Sequence, residues 1–514
     1  MMEKKLALGH QEFSEVIENN CIYVDKTEII YKLITREKYC FLSRPRRFGK
    51  SLIANTIKEI FKANKELFKS LWIYDKWNWE KTNPVIKISF SNIDYATLGL
   101  RQAINNQLNT IAESHLILLE MNSVATKFQE LITKLSAQTQ VVIIIDEYDK
   151  PIIDYMDNVP QAEENRDILK NFYSVLKDAD KHLRFLFITG VSKFSQVSIF
   201  SDLNNLTDIT IDKNYSQITG WTKEEIERYF PDYINRAAQE YDQTFEYIMQ
   251  QIKYWYNGYS WDGNTRVHNP VSVMNFLSKR EFRNYWFSTG TPTFLMKLIK
   301  NQELIAFDIE NSYTTNDILD RYDFKDINFN SLLFQTGYLT IKSNNIFTRR
   351  IVLDYPNNEV AESFSKNILN TQTFNNIDKT QTLLFKITDY FLANDIQGFI
   401  DSVNYLFKNI SYHLAERKES YYHSLFYLIM KLLGFNIQVE IETIDGRIDA
   451  VIKTPENIYI IEFKIDQSAE KAIEQIKYKN YALAYAQENK KICLLGINFD
   501  TAKHKIEDYK LVVI

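Results

Sequence analysis

The chain has 514 residues and a mass of 60.8 kDa, which predicts two to four domains at roughly 150 residues each. Hydrophobic residues make up 45% and charged residues 25%, while Gly (13) and Pro (9) are scarce, so collagen-like and low-complexity architectures are excluded. The net charge is −5, from 61 Lys and Arg against 66 Asp and Glu, and it neither supports nor excludes a nucleic-acid partner.

The cellular location follows from three negative features. The longest apolar runs, such as Val141 to Ile145, fall far short of the ~18 residues that a membrane-spanning helix needs. The charged start of the chain lacks the apolar core of a signal peptide. Cys21, Cys40 and Cys493 lie far apart and show no metal-type spacing. We therefore expect a cytoplasmic protein with reduced cysteines and no membrane partner.

Apolar strands alternate with helices in the first part of the chain. Strands are predicted at 39–43, 84–90, 141–145 and 183–189, and helices from the Gly-Lys-Ser segment to about 63 and at about 98–119, 124–135 and 162–178. This alternation predicts an α/β domain with a parallel sheet and helices on both faces.

Two further regions follow. Residues 216–395 are rich in aromatics and predicted to be mostly helical. The last region is predicted to have the order helix (about 418–433), three strands (436–443, 447–453, 457–464), helix (467–487) and strand (491–498). The sequence thus predicts an α/β domain at 1–215, a helical lid or linker at 216–395, and a third domain at 396–514.

The first strand runs into a segment typical of a phosphate-binding loop. Such a loop needs backbone N–H groups at a helix start, a lysine for the β- and γ-phosphates and a hydroxyl for Mg²⁺, and Gly49, Lys50 and Ser51 supply these groups. Position 44, where such loops usually have Gly, is Arg, which indicates a modified loop. We predict that the nucleotide is bound by residues 44–51, namely Arg44, Pro45, Arg46, Arg47, Phe48, Gly49, Lys50 and Ser51. Arg44, Arg46 and Arg47 are expected to add positive charge near the phosphates.

A second nucleotide signature ends the strand at 141–145. Asp146 fits a Mg²⁺ ligand and Glu147 a carboxylate that polarises the attacking water. Between the two signature strands lies the extra strand at 84–90, the order expected of ATPases with a catalytic glutamate. Thr189 or Ser192 could sense the γ-phosphate, although a plain polar strand end explains them equally well. Because the guanine-reading Asn-Lys-x-Asp motif is absent, ATP with Mg²⁺ is the predicted cofactor, and residues 1–215 are predicted to form a P-loop ATPase domain.

In combination, these segments resemble the bacterial AAA-ATPase-like family. The resemblance covers nearly the whole chain and rests on SRPRRFGKS (43–51), IDEYDKP (145–151), YNGY (256–259), YVDKT (23–27), HNP (268–270), YWFSTGTPTFL (285–295) and QTGYLTI (335–341). Arg44 is normal in this family. Members often carry a C-terminal PD-(D/E)XK nuclease-superfamily domain, so the resemblance implies a nuclease-like third domain.

The C-terminal region carries a metal-nuclease pattern of its own. Asp449 lies in one predicted strand and Glu462 and Lys464 in the next, joined by a turn at 454–457. Alternation along a strand places Glu462 and Lys464 on one face, with Phe463 on the other. Two acids that share a Mg²⁺ ion, beside a lysine, suit phosphodiester hydrolysis. The spacing alone is weak, because acids and lysines alternate on many solvated strands.

The order helix, three strands, helix, strand matches the restriction-endonuclease-like core. Gln475 and Tyr481 resemble the Gln-x5-Tyr motif of exonuclease-like branches, and Glu419 matches an extra acidic metal ligand that some members have. The leading hypothesis is an ATPase coupled to a Mg²⁺-dependent DNA nuclease, and the family resemblance implies that it acts on mobile or foreign DNA. The alternative is a nucleotide-controlled switch whose C-terminal domain binds nucleic acid or protein without cutting. The sequence leaves a homo-oligomer open.

Overall fold

The computed structural model describes residues 4–193, 199–200, 203, 205–286, 312–315, 319, 328–345, 347–372, 377–407, 426–431, 433, 435–443, 446–503 and 505–514. The strands are β1 (Tyr39–Ser43), β2 (Val85–Ser89), β3 (Val141–Asp146), β4 (Leu183–Gly190), β5 (Thr207–Asp208), β6 (Ser312–Thr314), β7 (Thr340–Asn345), β8 (Arg350–Asp354), β9 (Asn436–Thr443), β10 (Gly446–Lys453), β11 (Asn457–Ile465), β12 (Lys491–Asp500) and β13 (Lys505–Val513).

The helices are numbered in the same way. They are α1 (Phe13–Glu18), α2 (Thr27–Arg36), α3 (Lys50–Phe61), α4 (Tyr95–Leu98), α5 (Leu100–Ser114), α6 (Val124–Leu135), α7 (Lys150–Ile153), α8 (Val159–Ser174), α9 (Lys223–Tyr229), α10 (Pro231–Glu240), α11 (Phe245–Tyr256), α12 (Pro270–Lys279), α13 (Phe329–Thr336), α14 (Asn358–Gln372), α15 (Ile377–Leu392), α16 (Ile396–Phe407) and α17 (Ala469–Tyr478).

The N-terminal sheet confirms the predicted α/β architecture. Its five strands have the order β2-β3-β4-β1-β5, and every pair is parallel. Strands β1, β3 and β4 are buried almost throughout, as expected of a parallel sheet that is covered on both faces. The strand at 84–90 precedes β3 in the chain but lies at the edge of the sheet. The strand between β1 and β3 in space is β4, because the chain crosses over after β3.

The alternation of side chains along β1 separates two hydrophobic cores. Phe41 packs on one face of the sheet with residues of α5, α6 and α8. Cys40 and Leu42 pack on the other face with residues of α2 and α3. Since successive side chains of a strand point to opposite faces, a five-residue apolar strand is enough to contribute to both cores.

The middle region is mostly helical, as predicted, but it also contains a small antiparallel sheet of β6, β8 and β7. The turn after α11 passes very close to the backbone of Pro356. Gly258 has φ of 108°, and a Cβ added there would overlap the Pro356 carbonyl oxygen. Only glycine fits this approach, which gives the YNGY segment a structural reason.

The C-terminal sheet has the order β13-β12-β11-β10-β9. β11 and β12 are parallel and the other pairs antiparallel, so this is a mixed sheet. The predicted helix at 467–487 is shorter than expected: α17 ends at Tyr478, Asn480 takes a left-handed φ of 49°, and a 3-10 helix follows at Tyr481–Tyr485. Strand β13 was not predicted. Most of the predicted helix at 418–433 lies outside the described residues. Within its described part, residues 426–431 are helical.

The described residues up to 360 form one compact unit and those from 361 onward another. The domain boundaries predicted at 215 and 395 remain a prediction, since a compact unit can hold more than one domain. Cys21, Cys40 and Cys493 are buried free thiols. Within the described residues no helix has the length and apolar content needed to cross a membrane.

Candidate active sites

The phosphate loop connects β1 to α3. Gly49 precedes the helix with φ of 87°, and Arg47 also has a positive φ of 70°. A Cβ added at Gly49 would meet no atom within 4 Å, so the space over this glycine is open. Lys50 and Ser51 begin the helix, and their backbone N–H groups belong to its first turn, where no intrahelical acceptor exists. The predicted loop geometry for an anion is therefore present.

The side chain of Lys50 is buried and turned back into the loop. Its ammonium donates hydrogen bonds to the carbonyls of Arg44 (2.9 Å) and Pro45 (3.0 Å). Burial lowers the pKa of Lys50, and the nearby carboxylates of Glu147, Asp146 and Asp149 oppose that shift. The three acids thus compensate a cation at the loop.

The three arginines of the loop have different environments. The Arg44 side chain is fully buried: it donates to the carbonyls of Ser43 and Thr210, and its guanidinium lies 3.9 Å from the centre of the Trp261 ring. The Arg44 guanidinium therefore faces the Trp261 ring and not solvent. The sequence, by contrast, predicts that its charge lies near the phosphates. Arg46 is half-buried and Arg47 is exposed. Pro45 and Phe48, also predicted to bind nucleotide, are buried.

Two acids stand at the carboxyl end of β3. Asp146 is buried and accepts a hydrogen bond from the Thr189 hydroxyl at the end of β4. Glu147 accepts a hydrogen bond of 2.5 Å from the Ser91 hydroxyl, which follows β2. The φ of Glu147 is 55°, an uncommon value for a side chain of this size, and such strain clusters at functional sites. Residues from three neighbouring strand ends therefore meet beside the phosphate loop.

Asp149 fixes the turn that follows β4. It is buried and accepts hydrogen bonds from the backbone N–H groups of Val191 and Ser192 and from the Ser192 hydroxyl. Burial raises the pKa of Asp149, while the bonds from Ser192 and the charge of Lys50 lower it. Ser192 thus serves as a partner of Asp149, and Thr189 is the predicted sensor that contacts the acid pair.

The C-terminal site lies on the hairpin of β10 and β11. Ala450 pairs with Ile461, so Asp449 and Glu462 are the next opposed positions of the antiparallel register. Asp449 is half-buried and accepts a 2.8 Å hydrogen bond from the Phe463 backbone, whereas Glu462 is 2% exposed. The turn at 454–457 closes the hairpin through the bond from the Thr454 N–H to the Asn457 carbonyl.

Lys464 and Gln475 both contact Glu462. The Lys464 ammonium lies 3.0 Å from Oε1, and the Gln475 amide donates to the same oxygen. Phe463 points to the opposite face and packs on Phe426 and Phe499, as the alternation predicted. The geometry brings four predicted residues together: Asp449, Glu462, Lys464 and Gln475.

Tyr481, which was also predicted for this site, makes its hydrogen bond elsewhere. The Tyr481 phenol is 2% exposed and donates to the carbonyl of Arg447 at 2.8 Å, which ties the 3-10 helix to β10. Glu419 lies outside the described residues. Within the described part of the chain, no group of three or more His, Cys, Asp or Glu side chains could hold a metal ion.

The fold and these two sites show to which class each of the two domains belongs. A parallel 2-3-4-1-5 sheet with Gly49, Lys50 and Ser51 after its first strand and an acid pair after its third is a P-loop nucleotide-binding domain. A mixed sheet with an Asp–Glu–Lys group on a hairpin has the layout of a PD-(D/E)XK domain.

Comparison with known proteins agrees with both assignments. A family model described as "Predicted AAA-ATPase" matches residues 7–200, and one described as "PD-(D/E)XK nuclease superfamily" matches residues 417–509. A relative from Azotobacter chroococcum mcd 1, named "Uncharacterized protein in vnfD 5'region", is 37% identical over 512 residues, which cover 97% of each chain. The chain belongs to the AAA-ATPase-like family and carries a C-terminal PD-(D/E)XK nuclease-superfamily domain.

Sequence reasoning missed several residues of the first site. Ser91 and Asp149 have contacts that no spacing pattern indicated. Ser91 could have been found from the rule that carboxyl ends of neighbouring parallel strands share one edge, since it follows β2 by two residues. Trp261 and Trp286 contact the loop from more than 200 residues away, and no local signal pointed to them.

Proposed function

We propose that the N-terminal domain binds and hydrolyses ATP with Mg²⁺. The arrangement of Lys50 beside Asp146 and Glu147, at one edge of a parallel sheet, is the observation that supports this best. In this proposal the loop N–H groups and Lys50 bind the phosphates, and Glu147 polarises the attacking water. The Ser91 hydroxyl holds the Glu147 carboxylate, and Thr189 holds Asp146.

The residues of the loop fit a nucleotide and its ion. The open space over Gly49, the buried cation of Lys50 and the helix start together offer positive charge and N–H donors to a phosphate chain. Ser51 and Asp146 are the oxygen ligands that would hold Mg²⁺, which when bound neutralises phosphate charge.

We further propose that the C-terminal domain cleaves nucleic acid, with DNA as the expected substrate. Asp449 and Glu462 are hard oxygen donors that would hold Mg²⁺, which supplies a more acidic bound water. Lys464 lies beside Glu462 and would orient the water or stabilise charge on the phosphate, while Gln475 keeps the Glu462 carboxylate in place. Glu419 is a proposed third ligand.

One set of reactions tests both proposals. Purified protein is incubated with linear and circular DNA, Mg²⁺ and ATP, and DNA loss and phosphate release are followed in the same samples. We expect Lys50→Ala to abolish phosphate release and Asp449→Ala to abolish DNA loss. A wild-type protein that releases no phosphate from ATP would refute the first proposal.

A non-cutting switch is the second candidate. It is favoured by one observation: among the described residues the C-terminal site has two acids and no third His, Cys, Asp or Glu side chain beside them. If no DNA or RNA is cut with Mg²⁺ or Mn²⁺ while ATP still turns over, this candidate replaces the nuclease. Nucleic-acid binding that changes with the bound nucleotide would then support it.

A further inference from the structure

The outer side of the phosphate loop contacts aromatic residues of the middle region. The Trp286 indole N–H donates a 3.0 Å hydrogen bond to the Arg46 carbonyl, and the Trp286 side chain is fully buried. Gly337 lies directly against Pro45: a Cβ added to it would be 2.7 Å from the Pro45 Cβ and 3.3 Å from the Trp286 ring. Two consecutive loop residues are thus held from one side.

A second contact holds the two ends of the loop. The guanidinium of Arg44 lies 3.9 Å from the Trp261 ring centre, a cation–π arrangement in a buried setting. The Phe48 ring meets the rings of Tyr259 and Trp261 edge to face, with centroids 4.6 Å and 5.5 Å away. Arg44 occupies the position where a glycine would permit a tight turn. In this chain its side chain instead connects the start of the loop to the Trp261 ring.

The inner and outer contacts of the loop are made by different groups. Inside, only the Lys50 ammonium among the described side chains bonds to the carbonyls of Arg44 and Pro45. Outside, Trp261 and Trp286 hold the same segment without using Lys50. Lys50 can therefore leave these carbonyls for a phosphate while the loop keeps its backbone shape.

We infer that Trp261 and Trp286 are positioning residues for the ATP phosphates. They hold the backbone of residues 44–48 in the shape that receives a phosphate chain, so ATP affinity depends on the packing of the middle region. This inference rests on the proposed ATPase function. It concerns affinity and leaves the chemistry to Lys50, Asp146 and Glu147, because a preorganised site loses less conformational freedom when its ligand binds.

The test uses the full chain and three variants. Trp286→Phe keeps an aromatic ring but removes the N–H, Trp261→Leu removes the ring that faces Arg44, and Trp221→Phe is the matched control, since the Trp221 ring packs on Phe230. ATP binding is measured by calorimetry, and kcat and KM by phosphate release. Thermal melting shows that each variant is folded.

We expect Trp286→Phe and Trp261→Leu each to raise Kd and KM about threefold to tenfold, with kcat within about twofold of wild type. Trp221→Phe should leave Kd and KM unchanged. If the wild type binds ATP and the folded Trp286→Phe and Trp261→Leu variants bind it equally well, the inference is wrong although the ATPase proposal stands. If the wild type binds no ATP, or Lys50→Ala binds it as tightly, the ATPase proposal fails and the inference fails with it.

Discussion

The two candidate sites differ in what holds their reactive groups. At the phosphate loop, Asp146 and Glu147 are hydrogen-bonded to residues at the ends of two neighbouring strands, and the loop itself is held by two distant tryptophans. At the C-terminal site, Glu462 is held by its own strand and by one helix. The groups of the first site are thus held by several strands along one edge of the sheet, whereas those of the second are held by one hairpin and α17. Single substitutions should therefore separate the two proposed activities.

The largest expected effect is at the C-terminal site. Asp449→Asn should reduce DNA cleavage about 1000-fold, because a neutral amide is a poor metal ligand while it can still accept the bond from Phe463. Cleavage and ATP turnover are measured together, with Asp401→Asn as the control in the same unit. Turnover is expected to stay within twofold of wild type. Undiminished cleavage by Asp449→Asn would remove this residue from the proposed site.

The stability of the packing around Trp286, which contacts the phosphate loop, should depend on pH. Glu359 is fully buried and accepts bonds from the Trp286 backbone and the Ser272 hydroxyl, and burial raises its pKa from 4.5 to about 7. Between pH 4.5 and about 7, Glu359 thus keeps its proton in the folded state, whereas in the unfolded state the carboxyl group releases it. The free energy of unfolding should fall as pH rises from 4.5 to 7, by about 3 kcal/mol, and then level off.

Glu359→Gln tests this slope by urea unfolding at several pH values. Gln mimics the protonated acid, so the variant should lose most of the decline between pH 4.5 and 7 and be more stable than wild type at pH 8. If the free energy of unfolding of Glu359→Gln still falls with pH as it does in the wild type, another group must carry the proton.

A smaller effect is expected when Glu147 loses its charge. Glu147→Gln keeps an acceptor for Ser91 but cannot act as a base, so kcat for ATP should fall about 100-fold with Kd for ATP nearly unchanged. Glu164→Gln, an exposed change in α8, is the control. A parallel loss of binding and turnover would instead indicate that Glu147 shapes the loop.

The smallest effect is expected at Ser91. Ser91→Ala removes the hydrogen bond that holds the Glu147 carboxylate, and kcat should fall about fivefold. Ser91→Thr keeps the hydroxyl and should restore most of the rate. Equal rates for Ser91→Ala and wild type would show that the strained backbone of Glu147 positions the carboxylate unaided.

Local patterns predicted the elements of both sites well, because the first site lies at the ends of buried apolar strands and the second lies within two apolar strands joined by a short turn. The alternation of Glu462, Phe463 and Lys464 gave the correct faces, and the Gly49–Ser51 segment gave the correct helix start. The direction of the Arg44 side chain could not be predicted, since its partner Trp261 is distant in the chain. Strand β13 was missed because only its pairing with β12 makes it a strand.

Two buried cysteines, one in each large sheet, allow the local opening of the two sheets to be measured. Cys40 lies in β1 beside the phosphate loop and Cys493 in β12 of the C-terminal sheet, and burial raises the pKa of both thiols. A thiol reagent reaches each of them only when its sheet opens. Labelling followed by mass spectrometry would thus time the opening of the two sheets separately, with no engineered probe.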